Sequence, residues 1–221
     1  MKLTEERIVE AGMAVFAESG YHGLSMRRVA QRLDAQAGSL YYHVPSKSAL
    51  VQLMADRVAR QAYEAGTRAL EELEELQDLQ DLADLDARAG WRERVEAQVV
   101  TLRRSIRLHP GGAVMFADSP KVLSAGALSL MERLLETLRA AGVPEEHCGI
   151  AADALLSHVT GFVLQEQSQS PAVAIDAEEA AGLRERFPLT VAAAAAFDED
   201  EKFVRSVRLL CAGIGTLVPP A

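Results

Sequence analysis

Apolar residues recur at helical spacing along most of the chain, and the first stretch sets the pattern. Ile8, Ala11, Gly12, Val15 and Phe16 fall three and four apart, which puts them on one stripe of a helix. Thr4 is its predicted N-cap, with Glu5 and Glu6 in the first turn, where the helix dipole favours acids. Gly20 ends this helix and Gly23 sits in the following turn. Ser25 caps a second helix, Met26 to Leu33, with Val29 and Leu33 facing inward and Arg27, Arg28, Gln31 and Arg32 outward. Asp34 and Ala35 form a turn, and Gln36 to Tyr42 form a third helix too short to be stable alone. Pro45 and Ser46 mark the next boundary, with Ser46 capping a helix through Ala49, Leu50, Leu53 and Met54.

Beyond this point the periodicity stays helical. The fourth helix is expected from Ser46 to about Leu70. The leucines at 70, 73, 76, 79, 82 and 85 then recur every three residues. On a helix each such step slips by about 60°, so they spiral around the axis and make no stripe. Residues 71–89 therefore read as a mobile, partly helical acidic connector. Trp91 opens an amphipathic helix to about Leu108, ended by His109-Pro110-Gly111-Gly112. Ala113 to Ala117 is a short helix or turn, and Pro120 precedes a helix to about Ala141. A long helix follows from Glu145 to about Gln167, then a loop from Ser168 to Pro171 and a weakly helical segment over 177–186. Pro188 precedes the alanine-rich Leu189 to Phe197, and the acids from Asp198 to Glu201 start a last helix ending near Leu217. No strand pattern of any length is present, so the fold class is all-α. The expected division is a helix-turn-helix head over 1–50 and a helical body over 51–221.

Charge sharpens that division. The chain of 221 residues carries −9, but residues 1–50 hold six basic and five acidic side chains, and the remainder 17 and 27. A near-neutral head on an acidic body suits recognition of a specific DNA site better than coating of DNA.

The head has the order of a helix-turn-helix unit, in which the third helix reads bases while its neighbours grip phosphates. Gln36 and Ser39 can hydrogen-bond base edges, and Ala37 and Gly38 are small enough for close approach or contact with a thymine methyl group. Tyr42, His43 and Lys47 suit backbone phosphates, Arg27 suits a base or a phosphate, and Ser25 is counted with them. Tyr41 belongs with Leu40 on the core side, although it too is a candidate contact. Helices 145–167 and 202–217 hold many Ala, Gly and Leu residues and few charges. Two from each of two subunits would build a four-helix bundle, and a two-fold homodimer would set recognition helices one DNA turn apart.

The run from Gly23-Leu24-Ser25 through Val29-Ala30, Leu33, Leu40-Tyr41-Tyr42-His43-Val44 and Lys47-Ser48-Ala49-Leu50 resembles the N-terminal domain of the tetracycline-repressor family. Asp34 departs from it, since the family usually has Gly in the turn; Asp tolerates a left-handed conformation better than most residues. HPGGAVMFADSP, ADALLSHVTGFVLQEQ and FPLTVAAAAAFDEDEKFVRSVRLLCAGIG resemble body helices of the tetracycline repressors proper. The resemblance implies a ligand-responsive repressor that leaves a palindromic operator when a small molecule enters its body. By position it implies effector contacts at Tyr63, Gln98, Leu102, Phe116, Met131 and Gln165, and Phe162 is a further candidate. Phe116 stands where those repressors place a histidine on the drug's magnesium, and Gln165 where they place a glutamate. Phe cannot ligate a hard cation and Gln is a poor substitute for a carboxylate, so no metal chelate is expected. The pocket should prefer an uncharged, largely apolar or aromatic molecule.

An enzyme is not expected, because the chain has no phosphate-cradling glycine loop, HExxH, CxxC or GxSxG. No cofactor is implied. The alternative reading is an acidic helical protein-interaction module with a vestigial DNA-binding head. His109 is expected to cap a helix end and His158 to lie at the bundle interface or be hydrogen-bonded in the core. Cys148 and Cys211 read as buried thiols of a cytoplasmic protein. No signal peptide is expected where a charged helix begins at once, and no apolar run approaches ~18 residues.

Overall fold

A computed structural model describes residues 2–79, 90–118, 124–168 and 176–219. Among the described residues there are eleven helices and no strand. The head comprises α1 (Glu5–Gly23), α2 (Met26–Arg32) and α3 (Ala37–His43). The Thr4 hydroxyl accepts from the Arg7 amide at 3.4 Å, and α1 kinks at Gly20, whose φ is 64°. Ser25 caps α2 by accepting from the Arg28 amide at 3.3 Å. Asp34 takes a φ of 50° in the α2–α3 turn, the left-handed conformation that its short side chain tolerates. Ile8, Phe16, Leu24, Val29, Leu40 and Val44 are buried together and fix the three short helices against one another.

α4 (Lys47–Leu79) starts in that head core through Leu50 and Met54 and continues into the body. It ends nine residues later than the spacing predicted. Arg94 pairs with Glu74 at 2.9 Å, which helps hold the acidic end of α4 beside the next helix. Leu73 is half-buried and Leu76 is 55% exposed, as expected of a spiral rather than a seam. The remainder of the predicted connector, from 80 to 89, lies outside the described residues.

The central helix is α5 (Trp91–Arg107), packed against α4, α6 (Gly112–Asp118), α7 (Ala125–Ala140) and two later helices, α8 (Glu145–Gln167) and α11 (Glu199–Gly215). Trp91, Val95, Val99, Leu102 and Ile106 are all buried along it. Burial of each such large apolar side chain contributes about 1.5–3 kcal/mol. α8 (Glu145–Gln167) matches its predicted bounds and buries Ala152, Leu155, Val159 and Val163. It is long and apolar enough to cross a membrane by length and composition, a property that the absence of an unbroken apolar run did not reveal. Its packing against α5, α6, α7 and α11 accounts for the apolar side that it buries. α9 (Ala177–Arg186) and α10 (Pro188–Ala195) pack chiefly on each other and bury none of their described residues. α11 (Glu199–Gly215) closes the body through Phe203, Val207, Cys211 and Ile214.

Head meets body at Gly111 as well as along α4. Gly111, with a φ of 75°, lies against Phe16 of α1, and a Cβ there would come within 2.7 Å of the ring. Within the body, Asp56 Oδ1 of α4 accepts from the Ser124 hydroxyl at 2.7 Å and from the Gly126 amide at 2.8 Å. Gly126 lets the start of α7 lie directly on the α4 backbone, since a Cβ would be 2.7 Å from the Arg60 nitrogen.

Candidate nucleic-acid interface and effector site

The apolar stripe that pins α3 leaves its other face outside. Leu40 is fully buried, whereas Gln36, Gly38 and Ser39 are exposed, Tyr41 is 49% exposed and Tyr42 is 89% exposed. Tyr41 therefore does not belong with Leu40 in the core: in a seven-residue helix the inward arc admits only Leu40. Gln36 is the N-cap residue rather than the first helical one, Ala37 is half-buried at the first helical position, and nothing lies near the missing Cβ of Gly38. The ring of half-buried His43 meets Tyr42 edge-on at 5.3 Å.

The basic residues around α3 divide by their partners. Arg28 donates to the Gly23 carbonyl at 3.2 Å, and Arg32 pairs with Glu18 at 2.6 Å. Lys47 turns back, with Nζ donating to the Tyr21 carbonyl at 2.9 Å and lying 4.4 Å from the Tyr21 ring centroid. Arg27 is exposed and makes no hydrogen bond or ion pair with any described residue. The half-buried Ser25 hydroxyl is occupied in capping α2.

In the body, Phe116 and Met131 line a cavity of about 250 Å³ with Ala127, Leu128, Leu130, Asp153, Leu156 and Thr160. The other sequence candidates lie elsewhere. Leu102 is 1% exposed in the core. Phe162 joins an aromatic cluster, 5.1 Å from Phe203 and 5.8 Å from His158, where Arg103 lies over both phenyl rings. Gln165 is exposed on α8 and does not line the cavity. Tyr63 and Gln98 meet at a residue that sequence reasoning passed over, Arg133 of α7. Its Nη1 donates to the Tyr63 carbonyl at 2.7 Å and the Thr67 hydroxyl at 2.9 Å, and its Nε to Gln98 Oε1 at 3.4 Å. The guanidinium lies 4.4 Å from the Tyr63 ring centroid, and Gln98 also donates to the Thr137 hydroxyl at 2.8 Å. The available signal was phase: Arg133 occupies the same helical face as buried Leu130, Leu134 and Thr137.

Burial disfavours the charged form of both His109 and His158. His158 Nε2 is 2.6 Å from the Ser206 hydroxyl and its ring stacks on Phe203, so burial pushes its pKa down, in line with a hydrogen-bonded core position. His109 follows the end of α5, but its ring turns to Gln61 at 3.3 Å, and burial and then Arg57 push its pKa down. The hydrogen bond of its ring thus goes to α4, and none to a carbonyl at the end of α5 is formed among the described residues. Cys148 and Cys211 are free and buried, and burial raises the Cys211 thiol to about 11. Among the described residues no group of His, Cys, Asp and Glu could hold a metal ion.

Comparison with known proteins matches both halves of this arrangement. Residues 8–54 match the family described as bacterial regulatory proteins, tetR family, and residues 85–218 match the tetracyclin repressor-like C-terminal domain. The HTH-type transcriptional repressor DrrR1 of Streptomyces coeruleorubidus is 31% identical over 170 residues, or 77% of this chain. The chain spans only 56% of that relative's length. A possible TetR family transcriptional regulator from Streptomyces coelicolor A3(2) superposes with a TM-score of 0.76 at 26% identity, covering 96% of this chain and 98% of its own. The Streptomyces coelicolor protein ActR, in complex with actinorhodin, gives 0.72 at 26% identity and 97% coverage of each chain. With its head and most of its body both matched, the chain belongs to the tetR family of transcriptional regulators and carries a tetracycline-repressor-like C-terminal domain.

Proposed function

We propose that this chain is a ligand-responsive transcriptional repressor that acts in the cytoplasm as a homodimer. Each head places α3 in the major groove of a palindromic double-stranded operator, and a small, largely hydrophobic effector in the body releases it. The carrying observation is the outward face of α2 and α3, where Arg27, Gln36, Ser39 and Tyr42 stand exposed on a support fixed by buried Leu40 and Val29. Ala37, Gly38 and Tyr41 complete the groove-facing surface, with Ser25 and His43 at its edges. Lys47 reaches a phosphate only by leaving Tyr21, so its contribution is the smaller one. The apolar outer face of α8 and α11, including Ile150, Ala154, Leu209, Gly213 and Leu217, supports the homodimer. The cavity at Phe116 and Met131, with Gln98 and Leu102 buried in the body and Tyr63 exposed at its surface, supports the effector site; Phe162 acts from the layer behind and Gln165 from the surface.

The test is fluorescence anisotropy with DNA from the chain's own upstream region across a salt series. Saturable binding at two chains per site, well above scrambled DNA, is expected, and Arg27→Ala or Tyr42→Ala should abolish it while the dimer persists. Unchanged affinity in both variants would remove the contact assignment. Equal binding to scrambled DNA, followed by failure to select any sequence from a random pool, would favour the protein-interaction reading.

A further inference from the structure

We infer that the effector carries an acidic group, which pairs with Arg133 where α4, α5 and α7 meet. This rests on the effector-binding reading above and narrows its ligand from largely hydrophobic to an amphipathic acid, such as an aromatic carboxylate. Arg133 is only 9% exposed, yet no carboxylate of a described residue comes within ion-pair distance of its guanidinium. Its hydrogen-bond partners among the described residues are neutral: the Tyr63 carbonyl, the Thr67 hydroxyl and the Gln98 amide oxygen. Nη2 has no partner among the described residues, and no other buried side-chain nitrogen or oxygen there is left so. A buried charge without a counter-charge is costly, and a buried donor left unmade adds to that cost.

The charges that face it are few. Burial lowers the Arg133 pKa, and only Tyr63 and Glu136 act against that. Gly66 has no Cβ, which lets Nη2 lie directly against α4, while the Thr67 hydroxyl accepts from Nη1. Arginine presents a planar fork of donors that fits a carboxylate in two-point contact. Leu130, one turn before Arg133 on the same helix, belongs to the wall of the Phe116–Met131 cavity. An acid with an apolar body therefore finds both of its needs within one turn of α7.

The probes are 1-naphthoate and its uncharged counterpart 1-naphthamide, titrated calorimetrically into DNA-free protein, with Arg133→Met and Arg133→Gln beside the wild type. The wild type is expected to bind the carboxylate about tenfold or more tightly than the amide. Both variants should stay folded by circular dichroism and lose that preference. The inference is overturned if the wild type shows no preference for the carboxylate, or if the variants retain it. Because no DNA is present, a chain that fails to bind an operator leaves this result standing, and the two ideas fail separately.

Discussion

Arg103 and Arg133 sit on neighbouring helices, are 4% and 9% exposed, and are treated in opposite ways. Arg103 meets Glu166 through Nε at 3.1 Å, meets Asp200 through Nη1 at 2.7 Å, and lies 4.8 Å from the Phe203 centroid. It joins α5, α8 and α11 in a closed network. Arg133 lies over Tyr63 in a comparable cation–π contact, and among the described residues no carboxylate forms an ion pair with it. A buried arginine is thus no single kind of feature. With its acids present it is a staple, and breaking it strands a charge. Without them it is a charge whose partner has to come from elsewhere.

Breaking the Arg103 side should give the largest effect. Arg103→Met leaves the nearly buried Glu166 with only Arg107 at 3.7 Å, at a cost of about 3–5 kcal/mol by urea unfolding. Adding Glu166→Gln should return part of that loss, and an equal loss in the double variant would deny the pairing its role. Next comes the packing of Arg133. Gly66→Ala pushes a methyl group into the guanidinium and should cost roughly 1–3 kcal/mol. In an Arg133→Met background most of that cost should vanish, so a double-mutant cycle reads the contact directly.

The third prediction concerns pH. His158 has its pKa pushed below 6.5 in the folded protein, so the unfolded chain takes up its proton first. Stability is therefore present above about pH 6.5 and is lost as pH falls through that value toward the folded pKa. His158→Gln keeps a partner for Ser206 and should flatten the fall in Tm between about pH 7.5 and about pH 5.5. Parallel curves would show that His158 does not carry it. The smallest effect belongs to the head, where Gly38→Ala fills open space and should stabilise α3 by up to about 1 kcal/mol. If operator binding falls in that more stable variant, close approach to DNA is what requires the glycine.

The head was largely legible because its structure is local. Caps at Thr4, Ser25 and Ser46 and the left-handed Asp34 each depend on residues within a few positions. Exposure of Tyr41 was misjudged because hydrophobicity was read without asking how many residues a short helix can bury. In the body, α8 was found at its full length, since caps and periodicity agree there. The extra turns of α4 were missed because propensity gives no stop in its acidic repeat and α5 supplies the support. The partners of Arg103 and Arg133 were hidden for a different reason. Glu166 is 63 residues from Arg103, and Tyr63 is 70 from Arg133, and pairing over such separations leaves no mark in a local pattern.

α4 also sets the scale of any motion between body and head. Asp56 grips the start of α7 nine residues after the first residue of α4 and ten before Gly66. At 1.5 Å per residue the two arms are about 14 Å and about 15 Å. A rigid rod held at Asp56 is then a balance beam of nearly equal arms. Displacing it by about 1 Å at Gly66, beside Arg133, swings Lys47 by about 1 Å the opposite way. Amplification has to come from the separation of the two heads, not from this beam.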